Sequence, residues 1–133
     1  MDSARIRVGF GILNLSAAFL AYMGVFHGLP TRWMPVDVPA VVVIALMAAS
    51  GIALAANRRG GERLARLASI LVLAVGMLLF AALVLTASWL AGVYGPVGRG
   101  GAMIFGLVAA LVLPYAILLP AAELLWLGLP RRR

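Results

Sequence analysis

The stretch LASILVLAVGMLLFAALVLTASWLAGV, residues 67–93, holds no charged side chain and no proline. Coiled into an α-helix rising 1.5 Å per residue it is about 40 Å long, more than the ~30 Å of a hydrocarbon core, which about 20 apolar residues can cross. It is apolar on all sides and rich in Leu and Ala. A barrel strand would instead be about ten residues long and would alternate apolar with polar positions. The run therefore reads as a membrane-spanning helix.

Three further runs of the same character lie on either side: Val8 to Leu29, Val36 to Ala56, and Ala102 to Leu127. The segments between them carry turn chemistry: Gly28-Leu-Pro-Thr-Arg-Trp-Met-Pro35, Asn57-Arg-Arg-Gly-Gly-Glu-Arg63 and Tyr94-Gly-Pro-Val-Gly-Arg-Gly-Gly101. The expectation is an all-α membrane protein. Its four transmembrane helices form an up-down-up-down bundle of one domain over residues 1–133. Arg5 and Arg7 before an apolar stretch with Ser16-Ala17-Ala18 resemble a cleavable leader, but the run continues unbroken to Leu29, which favours a retained helix.

Composition agrees. Of 133 residues 65% are hydrophobic, only 11 are basic and 4 acidic, and mean hydropathy is +1.11. Soluble domains carry about 25% charged residues. With no cysteine there is no disulfide scaffold, thiol catalysis or thiolate metal site. The arginines are sorted by segment. Nine flank one side (Arg5, Arg7, Arg58, Arg59, Arg63, Arg66 and Arg131 to Arg133), against Arg32 and Arg99 on the other. The positive-inside rule then places both termini in the cytoplasm of a bacterial inner membrane. The net charge of +7 is read as a topology signal and an attraction for anionic lipid head groups, not as a nucleic-acid interface. Trp33, Trp89, Tyr94 and Trp126 fall near span ends, as interfacial anchors do.

Helices in lipid associate through close contact of small residues. Asn14, Ala17, Ala21, Gly24 and Gly28 repeat at threes and fours on one face of the first span, a packing seam that ends in GxxxG. Ala45, Ala49 and Ala53, and Ala74, Ala81 and Ser88, suggest matching faces on the second and third spans. These faces serve the bundle or, as the alternative, a second copy. The aromatic-glycine-proline-arginine turns after the first and third spans also hint at a duplicated two-helix unit.

Glu123 is the polar residue least at home. A carboxylate at mid-membrane costs about 2.5 to 3.5 kcal/mol on insertion scales. It lies about one turn from the cytoplasmic boundary, at the depth expected for Asn14, Ser50 and Ser69. A polar intramembrane cluster is expected, either as a structural clasp completed by Arg7, Arg58, Arg59 or Arg66, or as an ion or proton site. Pro114 and Pro120 lack amide donors inside the fourth span and should kink it. On the outer face His27, Arg32, Asp37 and Arg99 gather, with Asp37 suited to cap the second span. A lone histidine makes no metal site. No cofactor is implied, and no hydroxyl sits beside a base at a catalytic spacing. The reading is a non-enzymatic membrane protein acting as an accessory or scaffolding subunit, as a homo-oligomer or within a larger membrane complex. The alternative is a small oligomeric transporter or channel for an ion or small molecule, using Asn14, Glu123 and the kinked fourth helix.

Overall fold

The computed structural model describes residues 3–28, 30–57 and 60–128. They form α1 (Ser3–Phe26), α2 (Met34–Ala55), α3 (Gly61–Val93), α4 (Gly95–Leu113), a π-type segment Pro114–Leu118, and α5 (Leu119–Gly128). Four stretches are long and apolar enough to cross a membrane: Ala4–Phe26, Met34–Ala55, Gly61–Val93 and Gly95–Gly128. The protein is therefore all-helical, with the character of a multi-pass membrane protein. The chain divides into two compact units, one formed by the chain up to Leu71 together with the segment from Glu123 onward, the other by Val72–Ala122.

In the first unit α1 packs against α2, to which a short connection joins it. Phe26 ends α1, and its carbonyl, one of the orphans every helix C-terminus leaves, accepts a bond from Arg32 Nη2 at 2.6 Å. The same guanidinium lies 4.7 Å from the Phe26 ring centre and 3.9 Å from Asp37. α2 begins earlier than the sequence suggests. Trp33 is extended and its carbonyl accepts from the amides of Val36 and Asp37, while a proline in the first turn supplies a pre-set helical φ. Asp37 consequently lies inside the first turn and caps nothing with its side chain; its charge still favours that helix end.

Glycines lie where α1 meets α2. A Cβ on Gly11 would stand 2.8 Å from the Gly51 carbonyl oxygen, and one on Gly51 would stand 2.8 Å from that of Gly11. This relocates the seam. Ala17 is buried, but Ala21 is only half-buried, Gly24 is exposed, and Gly28 is exposed beyond the end of α1. The contact face runs toward the N-terminus instead, through Gly11, Asn14, Ala17 and Ala18. On α2 the buried face is Met47, Ser50, Gly51 and Leu54, with Ala45 and Ala49 outside it. On α3 it is Gly61, Ala65, Ala68, Ser69, Val72 and Gly76, a face that Ala74, Ala81 and Ser88 do not share. Alanine is too common in these helices to fix their rotation; the glycines and polar residues do so.

Between α2 and α3, Asn57 takes a left-handed conformation at φ 51 and Gly60 one at φ 88, ending one helix and opening the next. Gly61 then packs against the Ala53 carbonyl so closely that a side chain would collide.

In the second unit α3 continues to Val93, and α4 starts at Gly95 after a single intervening residue. The stretch Gly95 to Gly101, expected as a loop, is the beginning of α4. Pro96 occupies the first turn, where its missing amide costs nothing, and Gly98 packs where a Cβ would strike the Leu90 carbonyl. Arg99 is exposed there. Pro114 opens the π-type segment, in which the Leu119 amide bonds back five residues to the Pro114 carbonyl. Pro120 follows within the same continuous helical stretch, Gly95–Gly128, where its missing amide leaves the backbone ladder short of a donor. The Ala116 carbonyl, whose α-helical partner would be the absent amide of Pro120, lies directly against Gly76.

Gly11→Val is expected to destabilise the protein by about 1 to 3 kcal/mol through overpacking at the α1–α2 crossing. Gly9→Val, with nothing within 4 Å of its Cβ, should leave the unfolding midpoint in detergent unchanged. Equal effects would contradict this packing.

Candidate functional site

Four polar side chains meet in the interior of the first unit, each from a different helix. Asn14 comes from α1, Ser50 from α2, Ser69 from α3 and Glu123 from α5. All are at most 3% exposed. Helical periodicity brings them here: Asn14 stands one turn beyond Gly11, and Ser50 immediately precedes Gly51. The glycine contact that draws α1 onto α2 thus sets Asn14 beside Ser50.

Glu123 is the centre of the group. Asn14 Nδ2 lies 3.1 Å from each carboxylate oxygen, and the Ser69 hydroxyl donates to Oε2 at 2.6 Å. The second is the shortest hydrogen bond in the group. Asn14 Nδ2 is also 3.3 Å from Ser50 Oγ, and Ser50 donates its own proton to the Met47 carbonyl at 2.9 Å. Asn14 Oδ1 is buried and accepts from no neighbour among the described residues.

The arginine partners expected for Glu123 are elsewhere. Arg7 Nη1 donates to Asn57 Oδ1, and Arg66 Nη2 donates to the Leu127 carbonyl at 3.1 Å. Each guanidinium reaches a position at a helix end where an arginine can remain near water. Arg58 and Arg59 lie outside the described residues, as do Leu29 and Arg131 to Arg133. Among the described residues no guanidinium stands within ion-pairing distance of Glu123, and its carboxylate is held by neutral donors.

Toward the helix end, Trp126 rests on Phe10 with ring centres 5.3 Å apart, one α5 turn from Glu123 and one α1 turn from Asn14. Nearby, an open cleft of about 500 Å³ is lined by Arg7, Leu54, Asn57, Gly61, Glu62 and Arg63. Asn14 and Glu123 do not line it.

Of the residues expected on the outer face, Arg32 and Asp37 are brought together, and His27 lies edge-on to Tyr22 at 5.4 Å between ring centres. Arg99 belongs to the second unit. Sequence reasoning missed Gly11 and Gly51, although Gly11 continues the spacing of threes that links Asn14 to Ala17. Phe10 was missed too, and no sequence signal marks it as the partner of Trp126.

Neither a family model, nor a curated protein, nor a solved structure matches the chain. The functional reading therefore rests on the cluster.

Membrane interhelical hydrogen bonds are worth about 0.6 to 2 kcal/mol. Ser69→Ala removes the shortest bond to a buried carboxylate and should cost about 1 to 2 kcal/mol, with Ser88→Ala, away from the buried face of α3, changing stability by less than about 0.5 kcal/mol. Unfolding in detergent micelles measures both; indistinguishable values would contradict the importance of the Ser69 bond.

Proposed function

We propose that this is a small non-enzymatic multi-pass protein of a bacterial inner membrane, with both ends cytoplasmic. It acts as an accessory or scaffolding subunit through helix contacts, with itself or in a larger membrane complex. The carrying observation is how its polar groups are used. Asn14, Ser50, Ser69 and Glu123 bond to one another in a closed interior group, which supports a clasp that fixes helix positions. Small residues remain on open faces as well: at Gly24, Gly92, Gly100 and Gly106 a Cβ would meet nothing within 4 Å. Such faces let a partner helix approach closely. The arginine asymmetry supports the orientation and anchors the chain against anionic head groups.

One observation favours a second reading, a small oligomeric transporter or channel for an ion or small molecule. Among the described residues Glu123 is a buried carboxylate without a cationic side chain against it, and intramembrane carboxylates often mark ion pathways.

Purification in mild detergent followed by native mass measurement separates the two. A discrete homo-oligomer or a stoichiometric partner supports the scaffolding role. A solitary monomer, together with a cation flux in proteoliposomes that Glu123→Gln abolishes, would overturn it in favour of transport.

A further inference from the structure

We propose that the Asn14–Ser50–Ser69–Glu123 group is a binding site for one small monovalent cation, a proton or Na⁺, which neutralises the Glu123 carboxylate. The proposal goes beyond the scaffolding role, since it concerns what the clasp holds and not what the protein assembles with.

Two deficits in the same place support it. The first is charge. Among the described residues the charged groups on the helices that supply the cluster are Arg5 and Arg7 on α1, Asp37 on α2, and Glu62, Arg63 and Arg66 on α3. None is within ion-pairing distance of Glu123. Arg7 is engaged with Asn57, Arg66 with the Leu127 carbonyl, and Asp37 with Arg32 at the far end of α2. An ionised Glu123 would therefore be a buried charge met only by dipoles, a costly arrangement in a low-dielectric interior.

The second deficit is one of donors. Ser50 uses its proton on the Met47 carbonyl. Two N–H groups of Asn14 and the O–H of Ser69 remain for Glu123 Oε1, Glu123 Oε2, Ser50 Oγ and Asn14 Oδ1, and the last of these is left without a donor among the described residues. A buried acceptor without a partner is uncommon and calls for an explanation.

The charge deficit points to a missing positive charge, and the unpartnered Oδ1 marks an amide whose present orientation leaves an oxygen unused. The amide of Asn14 has nearly the same shape with its oxygen and nitrogen exchanged. Turned by half a revolution, it places Oδ1 where Nδ2 stood, within 3.1 to 3.3 Å of both carboxylate oxygens and Ser50 Oγ. With Ser69 Oγ the side of the cluster that faces Glu123 then presents oxygens, the ligand type that hard cations prefer, while Nδ2 takes the buried position that Oδ1 held. A proton shared between Glu123 and Asn14 Oδ1, or Na⁺ among these oxygens, meets the requirement. With the amide nitrogen inward, the same cage suits the charged carboxylate. Asn14 thereby adapts one cage to both states.

The chain contains two glutamates, Glu62 and Glu123, and no glutamine, so Glu62→Ala protein made with δ-carboxyl-¹³C glutamate carries one labelled side chain, that of Glu123. Its carboxyl resonance is followed in proteoliposomes across about pH 5 to 9, a range in which ordinary exposed carboxylates stay ionised. Each pH is measured once in choline chloride and once in NaCl of equal ionic strength. A reversible move between carboxylate and neutral-acid positions, the same in both salts, assigns the cation as a proton. A shift produced by Na⁺ at constant pH and lost in Asn14→Leu assigns it as Na⁺. A resonance held at the neutral-acid position across the whole range likewise assigns a proton, whereas one that stays at the carboxylate position at every pH and in both salts would overturn the proposal and leave the scaffolding role standing.

Discussion

The interaction on which the first unit depends is the bonding of one carboxylate by neutral donors from other helices. In hydrocarbon, a polar group that finds no partner within the protein finds none at all, and apolar side chains supply little drive for helices to associate. Glu123 therefore fixes positions. It needs Asn14 of α1 and Ser69 of α3 within hydrogen-bond reach, and through Asn14 it also draws in Ser50 of α2. Four helices are tied at one level, while most of their remaining surface is left free to face lipid.

Glycine makes that convergence sterically feasible. Gly11 and Gly51 let the α1 and α2 backbones touch one turn or less from Asn14 and Ser50, so packing and polar bonding reinforce each other. The helix ends follow a related logic. The carbonyls of Phe26 and Leu127, which helix geometry leaves without amide partners, are taken up by Arg32 and Arg66 from neighbouring segments. These two arginines serve as donors to backbone oxygen, which explains why Arg66 does not neutralise Glu123.

Much of this was legible in the sequence because hydrophobic length is an absolute signal: a run such as residues 67–93 has few other uses. That Asn14, Ser50, Ser69 and Glu123 could meet was likewise open to counting from span ends, since rise per residue is fixed. Rotation of each helix was harder. In chains where alanine and leucine occupy every face, a stripe such as Ala45, Ala49 and Ala53 can be drawn on several sides, and only the polar and glycine positions mark the contact face. The start of α4 was hidden for another reason. Gly95 to Gly101 has the composition of a turn, but a proline in a first turn and a glycine at a tight crossing also begin a helix. The partners of Arg7 and Arg66 were beyond prediction, because a long flexible side chain reaches many acceptors and its choice depends on tertiary geometry.

The central claim is that Asn14 and Glu123 hold the helices together by acting on each other. A double-mutant cycle with Asn14→Ala and Glu123→Gln, read by reversible unfolding in detergent, tests it most directly. A coupling energy of about 0.5 to 3 kcal/mol between the two positions is the expected result. Strict additivity, within about 0.3 kcal/mol, would contradict it.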